Sequence, residues 1–391
     1  MSLYTRIDGK GLIRLLGGGA IGCSAAYYLT RHPKFKKEEH HITLLEATKI
    51  AGGASGKAGG CLASWATPIC LATLSFDLHA SLAEEHDGEN HWGYRRALCL
   101  DCEVDDSQLE ATLPVVSNGN SGDDRPDWLF PGRLKRFKLR GHFEDTGQVH
   151  PYLYTNFLVG KAQESGVEVI MGSATAINIS EDGKSVKSVT FNPRDSEDVV
   201  ELEPDHVIIA CGPWTRKLLP KVPIKGARSH SVVLRVPSNE VPAHILFFNN
   251  PDPRSWFPKL EVYPRPDDTT YVCGPTDWRV PLPDSTELVD VDKESCDLIK
   301  RAAENLSPRF LDRATEVEQA CYRPVVDIPG RDRSVGPLLG KLSVEGLILA
   351  AGHDQWGIQN SAATGKIISE LVFDGKATSA DISSLDPGNV V

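Results

Sequence analysis

The sequence predicts an α/β protein of two domains, one built on a mostly parallel sheet and the other rich in strands. Three observations support this prediction. The 391 residues exceed what one simple hydrophobic core accommodates, so two domains are expected. A strand, a glycine turn and a helix follow one another close to the start of the sequence. Further apolar strands that end in glycine occur at residues 205–212 and 347–352.

The first pattern reads LLGGGAIGCSAAYYLT, at residues 15–30, and contains the spacing Gly17-x-Gly19-x-x-Gly22. In a dinucleotide-binding unit the first glycine makes a tight turn, and the second lets the backbone approach a pyrophosphate. The third lets the helix lie close to the strand, with its positive end toward the phosphates. The apolar strand before the turn and the small residues after it supply the context that this motif requires. A glycine turn without a nucleotide is the alternative.

Glu46 ends a second predicted strand, residues 41–45, and stands 24 positions after Gly22. An acidic residue about 20 positions beyond this motif binds the ribose hydroxyls of a nucleotide. The extra positions fall in the polar segment 31–40, which we interpret as a solvated loop. Glu46 is therefore predicted to bind the adenosine ribose. Arg14 conflicts with the pattern, because it places a charge in a strand that should be buried on both faces.

Composition narrows the class of protein. Hydrophobic residues make up 40% and charged residues 24%, as in ordinary globular proteins. The net charge of −11 argues against binding to nucleic acid or to an anionic membrane. No apolar run approaches the roughly 18 residues of a membrane span, and no signal segment precedes the glycine motif. The nine cysteines are interpreted as reduced, buried thiols, so a cytoplasmic protein is expected.

No metal site is expected. Cys99 and Cys102 have the C-x-x-C spacing, but no second pair accompanies them. The acidic residues around this pair would raise the pKa of a thiol, which argues against a redox motif. The 12 histidines show no spacing typical of metal ligands.

The remaining segments alternate between helical and strand patterns. Helical patches are predicted within 76–110 and 147–166, and an amphipathic helix at 293–305. Residues 117–127 have the composition of an exposed loop, and a final helix is predicted at 361–373. Strands are predicted at 167–171, 174–179, 186–191, 205–212 and 347–351, and repeatedly within 231–277.

The nucleotide-binding signals occupy three separated places, which predicts one domain interrupted by another. A nicotinamide enzyme usually has one contiguous nucleotide-binding unit. It needs neither a second glycine-rich loop, here at 51–60, nor a closing one, here at 352–357. These loops favour FAD over NAD. The first domain is expected at 1–80, 145–225 and 320–391, and the second at 81–144 and 226–319.

Four motifs in this order resemble the FAD-dependent D-amino acid oxidase/glycine oxidase superfamily over nearly the whole chain: LLGGGAIG, LLEATKIAGGASGKAGG, VIIACGPW and LAAGHDQWGIQNSAATGK. KAGGCLASWATP, HWGYRRALC, QVHPYLYT, YPRPDDTTYVCGPTD and QACYRP are similar to a fungal branch of FAD-dependent oxidoreductases with poorly defined substrates. The resemblance implies a Rossmann-like FAD-binding domain and a second domain whose large antiparallel sheet roofs the flavin. It implies oxidation of the C–N bond of an amino acid or secondary amine, by hydride transfer to flavin N5, with an imine product and O2 as acceptor.

The resemblance also implies which residues contact FAD. The glycine turn would hold the pyrophosphate, Glu46 the ribose, and residues 55–60 would run toward the flavin ring. The loop after Gly352 would line the pyrimidine edge of the flavin. A helix beginning near Asn360 supports that placement, because its positive end would stabilise the negative charge of reduced flavin. The expected set is Gly17, Gly19, Ala20, Ile21, Gly22, Glu46, Ala47, Ser55, Gly56, Lys57, Gly60, Cys61, Gly212, Trp214, Gly352, His353, Trp356, Gly357 and Ile358.

Three residues are the catalytic candidates. Arg323 stands where relatives that oxidise amino acids place an arginine that binds the substrate carboxylate through two parallel hydrogen bonds. An interdomain salt bridge is the alternative role for Arg323. Tyr263 is expected to contact the flavin region through its ring or hydroxyl, with sheet packing as the alternative. His353 is expected beside the flavin.

Other side chains are secondary candidates. Arg265, between two prolines, is a rival anchor for the substrate, with a structural role as the alternative. His150 and His230 are candidate bases or hydrogen-bonding core residues. Cys321 lies close to where sarcosine-oxidase relatives attach FAD covalently, although the residues after it depart from their pattern.

One departure concerns the electron acceptor. Sarcosine-type oxidases carry a lysine over the flavin in the strand that here reads YVCG, residues 271–274, and no lysine stands there. Lys57 or His353 is the candidate replacement. Two other functions stay open: an FAD-binding protein with a non-catalytic scaffold or trafficking role, and an NAD(H)-dependent dehydrogenase. A small-molecule substrate is expected; endosomal association is implied only by the fungal branch, and the sequence does not indicate the oligomeric state.

Overall fold

The computed structural model describes residues 10–105, 126–249, 255–330 and 336–390, which form three sheets and seven α-helices. The helices are α1 (Ala20–Arg31), α2 (Ile69–Glu85), α3 (Gly88–Trp92), α4 (Pro151–Glu164), α5 (Thr215–Leu218), α6 (Lys293–Leu306) and α7 (Gly357–Phe373). The strands are β1 (Gly11–Leu16), β2 (His40–Glu46), β3 (Cys61–Ala63), β4 (Arg95–Arg96), β5 (Leu98–Val104), β6 (Leu134–Gly141), β7 (Thr146–Gln148), β8 (Glu168–Ile179), β9 (Val186–Pro193), β10 (Val200–Leu202), β11 (His206–Ile209), β12 (Ile224–Arg235), β13 (His244–Asn249), β14 (Leu260–Pro264), β15 (Thr269–Asp277), β16 (Thr315–Val326), β17 (Leu338–Lys341) and β18 (Leu347–Ala351).

The first sheet has eight strands in the order β10-β9-β8-β2-β1-β11-β18-β17. Its centre is parallel, because β1 pairs with β2 and β11, and β11 pairs with β18. Helices α1 and α7 pack against each other so closely that a Cβ added at Gly365 would lie 2.6 Å from the carbonyl carbon of Ser24. The mixed α/β architecture confirms the predicted fold class, with the central strands drawn from separate parts of the sequence.

Arg14 is buried in β1, and its guanidinium is surrounded by hydrogen-bond partners from neighbouring segments. Its Nη1 donates a hydrogen bond of 2.7 Å to Thr43 Oγ1 and lies 3.0 Å from His41 Nδ1, both on β2. Its Nε donates to the carbonyl oxygen of Glu203 at 3.1 Å. Buried charges require such partners, so Arg14 joins neighbouring segments instead of disrupting the strand.

The second sheet has seven strands in the order β16-β12-β15-β14-β13-β5-β6. Its neighbours are antiparallel except for the parallel pair β13 and β5. One face packs on α6, which is amphipathic as predicted and is capped by Asp292, whose side chain accepts from Ser295 N. Because side chains alternate along a strand, the other face is free to form the roof of a cavity.

The helical patches predicted within 76–110 are confirmed by α2 and α3, and the described part of this segment also contains strands β4 and β5. Strand β5 is paired on both sides, with β13 and β6. One helical prediction needs correction. The last helix begins at Gly357, earlier than predicted. Its polar residues Gln359, Asn360 and Ser361 are fully buried, which the sequence pattern did not indicate.

The predicted strands at 167–171 and 174–179 are one strand, β8, with an irregularity between Ala174 and Ala176. Strand β16 pairs with β12 along most of its length and so crosses residue 320, where a domain boundary was expected. The predicted loop at 117–127 lies almost entirely outside the described residues. Within the part of the chain described, no helix combines the length and apolarity needed to cross a membrane.

Candidate active site

A cavity of about 940 Å³ lies between the two main sheets. One end is lined by the glycine turn after β1 and by Glu46 at the end of β2. The other end is lined by roof residues, among them Phe247 on β13 and Glu261 on β14. This volume is at the upper end of the range for small-molecule and cofactor sites, about 300–1,000 Å³.

The glycine turn has no room for side chains. Gly17 has a φ of +108°, and an added Cβ would lie 2.5 Å from the carbonyl oxygen of Ala210. An added Cβ at Gly22 would lie 1.9 Å from the carbonyl oxygen of Gly17. The turn thus brings the N-terminus of α1 to the cavity. The N-cap residue is Gly19, which has no side chain between the helix end and the cavity. This is the cradle that a pyrophosphate requires.

Glu46 lies beside that turn and organises it. Its Oε2 accepts a hydrogen bond of 2.7 Å from Gly18 N, and its Oε1 accepts from Thr48 N at 2.9 Å and Lys49 N at 3.2 Å. The carboxylate lines the cavity. The carboxylate is therefore held in a fixed position at the cavity, and its contact with the adenosine ribose stays a prediction.

The second glycine-rich loop lies between the turn and the roof. Ser55 Oγ accepts a hydrogen bond of 2.8 Å from Ala20 N at the start of α1. Gly60 has a φ of +94°, and an added Cβ would lie 2.0 Å from the carbonyl oxygen of Val149. An added Cβ at Gly59 would lie 2.4 Å from the ring of Tyr263. The loop is thus held between α1 on one side and the roof on the other.

The middle and closing loops complete the walls. Trp214 Nε1 donates to the carbonyl oxygen of Pro283 at 2.7 Å. His353 is buried, and its Nε2 lies 3.1 Å from Thr364 Oγ1. Burial lowers the pKa of His353 to about 3. The imidazole is therefore neutral at physiological pH, so positive potential at this wall comes from the start of α7, not from His353.

The cavity brings together nearly all of the residues expected to contact the cofactor. Of that set, Gly22, Gly56 and Gly352 do not line it. These three glycines lie behind the wall, where an added Cβ would meet Gly17, Ala51 and Val326 respectively at 2.5 Å or less. Their role is to allow close backbone packing.

Arg323 lines the cavity from β16, with its side chain already paired. Its Nη1 donates to Asp354 Oδ1, and its Nη2 donates to Thr276 Oγ1 at 2.6 Å. Burial raises the pKa of Asp354, and the arginine opposes that effect. The residue thus faces the cavity, as the carboxylate-anchor prediction requires, and also joins the roof to the closing loop, as the salt-bridge alternative requires.

Tyr263 lines the roof on β14 and donates a hydrogen bond of 2.5 Å from its hydroxyl to Glu261 Oε2. Burial raises its pKa well above the usual range, so the hydroxyl stays protonated and remains a donor. The ring of Tyr271 lies 5.7 Å from that of Tyr263 in an edge-to-face arrangement. Glu261 was not predicted as a site residue, because the sequence does not show which face of a strand meets the cavity.

Lys57 and Cys321 also line the cavity. Lys57 Nζ donates to the carbonyl oxygen of Ala320 at 2.9 Å, and burial lowers its pKa. Burial raises the pKa of the Cys321 thiol. Lys57 is thus a cationic group on the floor of the cavity, opposite the roof strand that lacks a lysine.

The other secondary candidates, Arg265, His150 and His230, do not line the cavity. Arg265 is buried and donates through Nη2 to the carbonyl oxygen of Ala58 at 3.0 Å, which agrees with its structural alternative. His150 precedes α4, and burial lowers its pKa to about 4. His230 accepts a hydrogen bond of 3.0 Å from Asp292 N at the start of α6. Cys99 and Cys102 lie in separate hydrophobic clusters, on opposite faces of β5.

Sequence reasoning missed the segment that closes the adenosine end. Thr286 Oγ1 lies 2.5 Å from Thr48 Oγ1, and Glu287 accepts a hydrogen bond of 2.7 Å from Arg194 Nη2. Both Thr286 and Glu287 line the cavity. This segment reads PDSTEL, a composition typical of an exposed loop, so no local signal marked it.

Fold and site together define a two-domain oxidoreductase that binds a dinucleotide between its sheets. The chain belongs to the DAO family, described as FAD dependent oxidoreductase, whose family model matches residues 15–371. FAD is therefore the cofactor, in agreement with the glycine cradle, the start of α1 at the cavity and the carboxylate of Glu46. The predicted family, cofactor and enzyme class are confirmed.

The chain is 33% identical to Putative oxidoreductase TDA3 of Saccharomyces cerevisiae, over 97% of this chain and 95% of that protein. It is also 33% identical to Putative oxidoreductase C1F5.03c of Schizosaccharomyces pombe, over 96% and 97%. Among solved structures, glycine oxidase from Geobacillus kaustophilus has a TM-score of 0.73 at 18% identity, covering 96% of this chain and 97% of that one. L-proline dehydrogenase from P. horikoshii has a TM-score of 0.73 at 16% identity, covering 97% and 98%. These structural likenesses establish the shared fold.

Proposed function

We propose that this enzyme oxidises the C–N bond of an amino acid or secondary amine. The observation that carries the proposal is the polar roof: Arg323, Tyr263 and Glu261 face the same cavity that the nucleotide-binding loops line. A substrate held by these groups would lie between the roof and the cofactor. The names of the structurally similar proteins, glycine oxidase and L-proline dehydrogenase among them, support this substrate class.

The proposed reaction removes two electrons and two protons from the amine. FAD, when bound, accepts the hydride of the breaking C–H bond at N5. The nitrogen lone pair forms the new C=N bond, and the N–H proton leaves to solvent or to a nearby acceptor. The protein contributes by holding the substrate in place, excluding water and favouring the neutral amine.

The proposed anchor for a substrate carboxylate is Arg323. Its Nη1 is paired with Asp354 and its Nη2 with Thr276. A guanidinium has five N–H groups, so Arg323 keeps donors for a substrate carboxylate beside these two bonds. The Tyr263 hydroxyl already donates its one proton to Glu261, so Arg323 is the proposed donor to the carboxylate.

The proposed final acceptor is O2, with Lys57 as the cation that assists its reaction. A positive charge in a water-poor site stabilises the negative charge that forms as O2 takes up electrons. Lys57 lines the cavity and has no carboxylate partner among the described residues. Hydrogen peroxide would then be the second product.

Anaerobic mixing tests this function. The purified holoenzyme is combined with D-amino acids, glycine, sarcosine and proline, and the flavin absorbance at about 450 nm is followed, since reduction bleaches it. Bleaching by at least one compound is expected, followed by recovery and peroxide formation on admission of air. A panel that leaves the flavin oxidised throughout would remove this substrate class and leave the cofactor assignment intact.

The scaffold alternative, by contrast, required Arg323 and Tyr263 to point away from the cofactor site. Both line the cavity. No observation therefore favours it as a second function.

A further inference from the structure

One carboxylate in the roof has no ion-pair partner among the described residues, as is also true of Lys57 and Lys259 in the same cavity wall. Arg323 is paired with Asp354, and Arg140 donates to Asp101 at 3.0 Å. Glu261 also lines the cavity, yet among the described residues no lysine, arginine or histidine lies within ion-pair distance of it. A half-buried carboxylate that faces a cavity in this way is available to accept a charge-assisted hydrogen bond from a bound cation.

The surroundings of Glu261 fix its orientation and leave one oxygen available. Tyr263 donates to Oε2 at 2.5 Å, while within the described part of the chain Oε1 has no donor. In the sheet register, Glu261 lies opposite Phe247 on one side and Cys273 on the other. Aromatic rings beside a carboxylate are typical of sites that bind alkylammonium groups.

The cation that Glu261 binds is a different nitrogen from the one that is oxidised. A carboxylate next to an amine raises the pKa of that amine and keeps it protonated. A protonated amine lacks the lone pair that must form the C=N bond. Glu261 would therefore slow the reaction if it held the reacting nitrogen, whereas it helps if it holds a second one.

We propose that the substrate carries a second, protonated nitrogen away from the oxidised C–N bond, and that Glu261 binds it. This rests on the proposed oxidation of a C–N bond. The chemical class is a compound with two amino groups, either a diamine or an amino acid with a basic side chain. In the tests below, "dication" and "monocation" count ammonium groups only and leave the carboxylate aside. The two kinds of substrate differ in their contact with Arg323, because only the amino acid has a carboxylate that this side chain could bind.

The test compares substrates that differ only in the second charge. Lysine is paired with norleucine and 1,4-diaminobutane with butylamine, each at matched concentration in anaerobic flavin bleaching. In the wild-type enzyme we expect the dication of at least one pair to react with about tenfold or higher kcat/KM, as for a charge-assisted hydrogen bond. A preference confined to lysine identifies a basic amino acid, and one confined to diaminobutane a diamine.

Glu261→Gln keeps the shape of the side chain and removes its charge. The preference for the compound with the second ammonium group should fall to less than about threefold. Glu318→Gln is the matched control, because Glu318 lies on the same sheet opposite Val232, on the face that packs on α6, where it pairs with Lys293. Equal kcat/KM for dication and monocation in the wild type would overturn the inference.

A binding measurement separates this inference from the proposed function. If no compound bleaches the flavin, the proposed function fails, and a bis-quaternary ammonium with a four-carbon spacer is then titrated against butyltrimethylammonium, with the flavin spectrum as readout. Tighter binding of the dication, lost in Glu261→Gln of equal FAD content, still supports the inference. Equal binding of the two in the wild type overturns it.

Discussion

The Tyr271 hydroxyl on the roof sheet donates a hydrogen bond of 2.9 Å to the backbone carbonyl of Lys57 in the glycine-rich loop. Arg265 donates to the next carbonyl along, that of Ala58, at 3.0 Å. The roof therefore holds the loop that forms the floor of the cavity. This connects the second sheet to cofactor binding as well as to substrate binding.

Tyr271→Phe is predicted to weaken FAD retention and to lower stability by about 1–3 kcal/mol, because it leaves the Lys57 carbonyl without its donor. Thermal unfolding and FAD release on dilution measure the two effects. Tyr28→Phe is the matched control, since the buried Tyr28 hydroxyl has no partner among the described residues. Equal FAD retention in Tyr271→Phe and the control would contradict the role given to this bond.

Glu46→Gln is predicted to weaken FAD binding by about 10- to 100-fold, since hydrogen bonds to a charged acceptor contribute about 1.5–3 kcal/mol. Quenching of flavin fluorescence on titration of the apoprotein measures the affinity. Glu201→Gln is a suitable control, because Glu201 accepts from Ser188 on an outer strand of the same sheet. An unchanged affinity in Glu46→Gln would show that the ribose is held by other groups.

Asp354→Asn is predicted to strengthen the binding of simple carboxylates such as benzoate, because it frees Arg323 for the ligand. Arg323→Gln should abolish that binding and destabilise the fold by about 2 kcal/mol, through the unpaired Asp354. This loss of stability is smaller than for a fully buried ion pair, because the Arg323 and Asp354 side chains are 22% and 28% exposed. Perturbation of the flavin spectrum by benzoate measures binding, and urea unfolding measures stability. Benzoate affinities that are the same in all three proteins would exclude Arg323 as the anchor.

Lys57→Met is predicted to slow reoxidation of the reduced enzyme by O2 about tenfold or more, with flavin reduction by substrate less affected. Stopped-flow mixing of the photoreduced enzyme with oxygenated buffer isolates this step. Lys221→Met, at an exposed position, serves as the control. Reoxidation of Lys57→Met at the wild-type rate would show that Lys57 does not assist the reaction with O2.

Stability is predicted to fall as the pH decreases from about 6.5 to 4, in part through His79. Burial lowers the pKa of His79 to about 4, and its Nε2 lies 3.1 Å from the carbonyl oxygen of Ile358. In this window the unfolded chain binds a proton that the folded chain does not, so one such histidine contributes a slope of up to about 1.4 kcal/mol per pH unit. His79→Gln should flatten the pH dependence of urea unfolding, whereas His142→Gln, at an exposed position, should not. An identical slope in His79→Gln would refute this assignment.

The cofactor side of the site could be predicted from the sequence because its signals are local. The glycine turn, Glu46 and the closing loop each combine a strand end with residues adjacent in sequence, so spacing alone identifies them. The family resemblance then fixed FAD. Arg14 was the one discordant residue there, and its partners come from β2 and from Glu203, which sequence spacing does not show.

The roof could be predicted only in part. Whether Arg323 meets a ligand or Asp354 depends on how β16 approaches the closing loop, and this is a tertiary contact. Glu261 was missed because its position depends on the register of β14 against β13 and β15. The strand β5 was not predicted, because its partners β6 and β13 are distant in sequence.

The pairing of β18 with β11, and the contact of α7 with α1 at Gly365, have a consequence for biosynthesis. The strand next to β11 and the helix that packs on α1 both follow residue 346, so they are synthesised after the glycine turn. Until then the first domain lacks a wall of its cavity and exposes the apolar side of α1. The cavity expected to hold FAD is therefore complete only once the start of α7 has been made.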